Sequence, residues 1–327
     1  MSFYLFAETA FHHEGNKEYL LKLVDAAKNA GADGVKFQVL FDLSEFMSSS
    51  HSAFSEAQKW ILSENDWREV FNYTKQLGLD IILMPLDTKA FTLIKDYEIR
   101  FLEIHSVSFK DQLLLELLNT TTIPLIFGIG GRTFEEIDTV VQRFKDRELT
   151  LMTGFQSFPT ALKDAKLSKI RDLSLLYPNC FIGYADHSSF DDEMAVKSTE
   201  YAYLLGARVF EKHLTIDEGK ERIDFQSAIG IQNFALIRNK LEYLEDILST
   251  NGESIFKLNE KEIIYRNRQK VPVALKNIEE GEQITKDMLG LKMVDVQGNI
   301  QTVEELVDRV VNKKVLADHP LFFEDLI

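Results

Sequence analysis

Eight short apolar runs alternate with amphipathic helical segments along the first 250 residues, and this alternation constrains the fold more than any other feature of the chain. The candidate strands are Tyr4–Thr9, Gly34–Val39, Asp80–Pro85, Phe101–Ser106, Pro124–Gly130, Leu149–Phe155, Phe181–Asp186 and Ala207–Leu214. Helix-period segments are Glu18–Ala30, Asn65–Leu77, Asp111–Asn119, Phe134–Phe144, Asp164–Tyr177 and Phe190–Leu205, with a last one from Gln232 to Leu248. Strands that alternate with helices build a parallel sheet covered by helices. Eight repeats over about 250 residues match an α/β fold of the closed (β/α)8 TIM-barrel type. An open, doubly wound sheet has the same alternation, but no glycine fingerprint for a dinucleotide follows the first strand. The segment Asp42–Leu62 is too long and too polar for a tight connection, and it is expected to lie over the mouth of the barrel.

The pattern changes near residue 250. A charged, polar stretch over 251–268 reads as a linker, and 269–327 reads as a small module of short strands with turn signals at Asn277 and Gly281. A module of that size holds little core of its own and is expected to pack on something. The 52 acidic and 37 basic residues give a net charge of −15, which removes the basic footprint of a nucleic-acid binder and any attraction to an anionic membrane. No apolar run approaches the roughly 20 residues that span a bilayer. The N-terminal "MSFYLFAETAF" lacks a basic leader and reads as a first strand. Cys180 is the single cysteine, so an internal disulfide is excluded and a reducing cytoplasm is expected.

The strand ends are rich in ionisable groups. Strand one ends in Glu8, ahead of His12, His13 and Glu14; strand two carries Lys36 and Gln38; strand four ends in Glu103, His105 and Ser106. Strand seven ends in Asp186-His187-Ser188 and strand eight in Glu211-Lys212-His213. A buried charge is costly unless it is paired or ligates something, and barrels of this class place their chemistry at the C-terminal strand ends. His187 and His213 end neighbouring strands, about 5 Å apart, within reach of one divalent cation. Two imidazoles with open positions suit Mn, Fe, Co or Zn, and Asp186 and Glu211 are expected to orient them as acceptors. The "GIGGR" turn after strand five offers backbone N–H groups and Arg132 to an anion, or is a plain turn. His51 and His319 are expected in solvent, whereas His12 and His105 are candidate donors to a substrate.

The motifs "AETAFHHEGN…LVDAAKNAGADGVKFQ", "GYADHS", "FEKHLTID…RIDFQSA" and "VPVALKNIEEGEQITKDML" resemble, in order and over nearly the whole chain, the sialic acid synthase (N-acetylneuraminate synthase) family. The resemblance implies a TIM barrel followed by an antifreeze-like (SAF) domain. It also implies condensation of phosphoenolpyruvate with an N-acylated aminosugar such as N-acetylmannosamine, giving a nine-carbon 2-keto sugar acid and phosphate. A divalent metal assists, usually Mn, with Mg or Co as substitutes. By resemblance His187 and His213 hold the metal, and Glu8 is a base or orients water. Lys36 binds phosphate, Gln38 the sugar, Ser106 the phosphoenolpyruvate and Asp224 the sugar hydroxyls. The family further implies a domain-swapped homodimer.

The departures lie on the phosphoenolpyruvate side. "EIHSVS" stands where the family reads "KIGSGE", so Glu103 replaces a lysine and Ser108 a glutamate. Gly128 and Ala185 replace serines, Phe158 a tyrosine, and Met293 an arginine. Three readings therefore stay open: phosphoenolpyruvate held by a rearranged anion site that includes Arg132, a metal-dependent aldol-type reaction on another donor, and a non-catalytic paralogue that binds a sugar or a partner.

Overall fold

The computed structural model describes residues 3–155, 157–249, 254–295 and 300–327. They fall into two compact units, Met1–Leu248 and Ser249–Ile327. The expected boundary at residue 250 and the start of the expected linker, 251–253, lie outside the described residues.

In the first unit β1 (Tyr4–Glu8), β2 (Gly34–Val39), β3 (Asp80–Pro85), β4 (Phe101–Ile104), β5 (Leu125–Gly128), β6 (Leu149–Thr153), β7 (Phe181–Asp186) and β8 (Val209–His213) follow one another around a ring. Each pairs in parallel with the next, and β8 returns to β1 with Glu8 beside His213. The sheet is thus a closed barrel, not the open alternative. Five strands are shorter than expected. At β4 the cause is local: the His105 ring accepts a hydrogen bond from the Val107 N–H, and Ser106–Ser108 coil into a 3-10 turn.

The outer helices start on polar caps and bury one stripe each. Ser63 and Asp66 form a reciprocal capping box ahead of Glu64–Gln76, and Thr133 and Glu136 do the same for Phe134–Arg143. Within Glu64–Gln76 the buried side chains are Trp67, Val70, Phe71 and Thr74, the i, i+3, i+4, i+7 spacing of an amphipathic helix. Trp67 meets Phe37 of β2 edge-on at 5.9 Å, and burying such a side chain is worth about 2–3 kcal/mol. Between β3 and β4 the chain forms a 3-10 helix, Lys89–Lys95, where no helical period is legible.

The insertion after β2 is ordered. One-turn helices Leu43–Phe46 and Phe54–Ala57 lead into a 3-10 turn, Gln58–Trp60. Leu43 and Ala57 pack on Phe11, Leu40, Met84 and Leu86, so apolar contacts fix it as a cap and not a free loop.

Inside the ring Phe6, Ile82, Phe101, Ile126, Met152, Ala185 and Val209 form an apolar plug. Side chains two residues apart share a face of a strand. The next inward positions are therefore Glu8 after Phe6, Glu103 after Phe101, His187 after Ala185, and Glu211 then His213 after Val209. The plug ends where the ionisable groups begin.

The second unit pairs β9 (Val271–Ala274) antiparallel with β10 (Leu289–Lys292). Its own small core includes Ile278, Ile284, Met288, Ile300, Leu306 and Val311. Among the described residues no helix is long and apolar enough to cross a membrane.

Candidate active site

A cavity of about 410 Å³ opens at the C-terminal ends of the strands. Of the residues expected at a site, Glu8, Lys36, Gln38, Ser106, His187, His213 and Asp224 all line it, and Glu103, His105, Gly128, Ala185 and Glu211 join them.

Lys36 is the centre of its floor. Its ammonium lies 2.6 Å from Glu8 Oε2, 3.0 Å from Glu103 Oε1 and 2.6 Å from Glu211 Oε2, and all four side chains are buried. Burial alone would lower the Lys36 pKa, but Glu103 and Glu211 outweigh it and hold the ammonium above its ordinary value. Glu8 Oε1 accepts from the Ala10 N–H at 2.7 Å and from Gln38 Nε2 at 3.1 Å. Its Oε2 meets Lys36 as an ion pair without hydrogen-bond geometry.

His187 and His213 point at each other, Nε2 to Nε2, at 3.2 Å. His187 Nδ1 lies 3.0 Å from the Ala185 carbonyl, which makes Nδ1 the protonated nitrogen and leaves Nε2 as a lone pair. Burial lowers the pKa of both rings, and for His213 the neighbouring His187 adds to it, so both are neutral. Potential ligand atoms of His187, Glu211 and His213 lie within 4.8 Å of one another. Two neutral nitrogens and a carboxylate facing one point suit a borderline divalent cation, and the donor set fits the expected metal. Glu211 was legible only as an orienting acceptor; here it belongs to the ligand cluster itself.

The support of His187 comes from residues that sequence reasoning missed. Its carbonyl accepts from the Thr160 N–H at 2.7 Å and from Ser227 Oγ at 2.9 Å. Phe155 stands edge-on to its ring at 5.0 Å. No local sequence signal marks these partners, because they arrive from separate loops.

Asp186 does not orient a histidine. It faces away from the barrel, 2.5 Å from Lys212 Nζ, and accepts from Ser188 Oγ at 2.7 Å and Tyr184 OH at 3.1 Å. Burial would raise its pKa, yet Lys212 and the hydroxyl donor hold it low. Alternation explains the reversal: Asp186 sits between two inward residues, Ala185 and His187. Asp186 and Lys212 are register partners, so this ion pair clamps β7 to β8 one residue before each histidine.

Two other candidates also lie elsewhere. Arg132 does not line the cavity; its guanidinium lies over the Phe109 ring at 5.7 Å, with Nε 4.0 Å from Glu136. His12 is fully engaged, with Nδ1 at 2.6 Å from the Ile223 carbonyl and Nε2 at 2.8 Å from Thr215 Oγ1. It tethers the loop after β8, helped by Glu14, which accepts from Arg222 and the Ile223 N–H. That tether carries Asp224, whose left-handed backbone (φ 65°) turns it into the cavity. Burial pushes its carboxyl up to about 6. His105 does line the cavity, and burial lowers its pKa to about 4.

Known proteins resemble this chain over nearly its whole length. The chain is similar to the N-acetylneuraminate-9-phosphate synthase of Drosophila melanogaster, at 26% identity over 97% of this chain and 93% of that protein. It is 25% identical to the pseudaminic acid synthase of Campylobacter jejuni over 99% of this chain and 91% of the other. A Chromobacterium violaceum structure named for spore coat polysaccharide biosynthesis superposes over 100% of both chains, with TM-score 0.86 and 24% identity, and supports the fold. The NeuB family model matches residues 23–253, most of the barrel, and the chain belongs to the NeuB family.

Proposed function

We propose that this protein condenses phosphoenolpyruvate with the aldehyde of an N-acylated aminosugar, N-acetylmannosamine-like, to form a nine-carbon 2-keto sugar acid and phosphate. One observation carries the proposal: the His187–Glu211–His213 cluster faces the same cavity as Lys36, Glu8, Gln38 and Asp224. A divalent ion held by that cluster, Mn in this reading, would supply Lewis acidity to the sugar carbonyl. Glu8, fixed by Ala10 and Gln38, is placed to orient or deprotonate the water that adds to the donor's C2. Asp224 takes sugar hydroxyls at the mouth, and Ser106 takes a donor oxygen. The second unit is read as an SAF module, the assembly as a domain-swapped homodimer, and the compartment as the cytoplasm.

The test is phosphate release together with 2-keto acid formation, from phosphoenolpyruvate and a panel of N-acetylated hexosamines, with and without Mn. No product from any sugar, with no phosphoenolpyruvate binding by calorimetry, overturns the reading. One structural observation favours a second reading. Lys36 already carries three carboxylates, which favours a donor less anionic than phosphoenolpyruvate in a metal-dependent aldol-type reaction. Product formed from pyruvate and not from phosphoenolpyruvate selects it; sugar binding with no product from either selects a non-catalytic paralogue.

A further inference from the structure

The tautomer of a histidine is set by the hydrogen bonds its ring already makes, and at the end of β4 one backbone contact fixes that of His105. The Val107 N–H donates to His105 Nδ1 at 3.1 Å, so Nδ1 holds a lone pair and the ring proton sits on Nε2. A second proton would have to sit on Nδ1, head-on to that N–H, so the imidazole is neutral. Among the described residues no protein atom accepts from Nε2. The ring is not sealed in the core either. His105 is half-buried and lines the cavity, and Lys36, Glu211 and His187 act on it electrostatically from β2, β8 and the end of β7.

The rest of the cavity has few donors to spare. The Lys36 ammonium is shared among Glu8, Glu103 and Glu211, and Gln38 Nε2 gives to Glu8. His187 and His213 turn Nε2 towards each other, at the cluster that fits a divalent ion. With that ion counted as a seat for one ligand oxygen at β7 and β8, the neutral donors that have no protein partner are His105 Nε2–H and the Ser106 hydroxyl. They are consecutive residues at the end of β4, halfway around the ring from β8. Gly128 leaves room beside them, since even a Cβ at that position would stand 3.5 Å from the Ser106 nitrogen.

We propose that His105 is a substrate-binding residue whose Nε2–H, together with the Ser106 hydroxyl, holds the carboxylate of the donor substrate at the β4 end of the cavity, across from the metal cluster. Two neutral donors suit a singly charged carboxylate, whereas a phosphate dianion gains most from cationic partners. The chemistry that fits is a pyruvyl or enolpyruvyl group. The 3-10 turn after β4 is then a tautomer lock: by spending Nδ1 on the Val107 N–H, it leaves Nε2–H for the ligand. The proton stays on Nε2, and no covalent bond is made or broken by this contact.

The inference rests on the cavity being the donor pocket, so its test reads the ring and ligand binding and needs no turnover. The full chain is labelled with 15N-histidine, with Mg as a diamagnetic divalent ion, and proton–nitrogen correlation spectra are recorded at neutral pH; His105→Asn assigns the ring. The expected spectrum shows Nε2 protonated and Nδ1 as a lone pair, with saturating pyruvate shifting the Nε2 signal. Calorimetry with pyruvate then separates the donor from the turn. His105→Asn keeps an oxygen to accept from the Val107 N–H but falls short of the cavity, and it weakens pyruvate roughly tenfold, as loss of one hydrogen bond to a charged oxygen requires. His105→Gln carries an amide N–H to the Nε2 position and holds affinity within about threefold. A purely structural role predicts the reverse order. A ring protonated on Nδ1, a ring that pyruvate leaves unmoved, no pyruvate binding at all, or His105→Asn binding as well as His105→Gln overturns the inference. Weakened binding of inorganic phosphate in His105→Asn, with pyruvate binding unchanged, overturns the carboxylate assignment. Failure of the product assay while pyruvate shifts the His105 ring would instead strike the proposed reaction alone.

Discussion

Lys212→Met isolates the clamp behind the two histidines. Asp186 and Lys212 are 1% and 0% exposed and lie 2.5 Å apart between β7 and β8. Removing one partner of a buried pair leaves an uncompensated charge and costs about 3–5 kcal/mol. Asp186 keeps the Ser188 and Tyr184 hydroxyls, so the cost falls at the lower end, near 3 kcal/mol. With a urea slope of about 3 kcal/mol/M for a barrel of this size, the midpoint of the full chain drops by about 1 M. The double variant Lys212→Met/Asp186→Asn removes both charges, so it recovers about 2 kcal/mol, a coupling that urea unfolding followed by far-UV circular dichroism resolves. A single variant within about 1 kcal/mol of the parent, or a double variant no more stable than the single, refutes the reasoning.

Asp224→Asn has a pH signature. Asp224 is raised from 3.8 to about 6 in the folded state, so folding binds its proton more tightly than the unfolded chain does. The group costs nothing below about pH 4, and its cost builds up to about pH 6 and persists above it. Asparagine therefore stabilises by about 1–2 kcal/mol at pH 8, after discounting for partial exposure, and does nothing at pH 4; an equal gain at both values refutes the assignment. Gly128→Ser and Gly154→Ala should part company in thermal melts. A Cβ at Gly128 meets nothing nearer than 3.5 Å, while at Gly154 (φ +114°) it lands 2.3 Å from the Ala185 carbonyl oxygen. The first stays within about 1 kcal/mol and the second loses more than about 2 kcal/mol. His213→Ala removes one donor of the ligand cluster and should abolish stoichiometric Mn, read by electron paramagnetic resonance; unchanged Mn content removes the assignment.

The barrel was legible because buried parallel strands leave continuous apolar runs, and β2, β3 and β7 are bounded by turn residues sharp enough to fix both ends. The end of β4 was overread because His105 and Ser106 leave the ladder for a 3-10 turn, and the end of β8 because Leu214 continues the apolar pattern after the strand stops. The helix between β3 and β4 was invisible because a 3-10 turn has no 3.6-residue period. At the site, residue types and their rim position were readable, and period two alone could have told Asp186 from Glu211: one lies out of phase with the histidine beside it, the other in phase. The cage around Lys36 was not readable. It depends on how four strands stagger around a ring, a quantity no single segment encodes. The direction of Arg132 was hidden for a similar reason, since Phe109 draws it from another loop.

The β1–β8 seam gives the site a place in time as well as in space. Glu8 and Lys36 leave the ribosome with the first strands, but Glu211 and His213 arrive on the last, and His12 and Glu14 can grip the loop around Ile223 only after the ring has shut. A nascent chain stopped after β7 holds His187 without its partner and Lys36 with only part of its cage. Capture of a divalent ion would thus serve as a stopwatch for barrel closure, starting only when the last strand docks on the first.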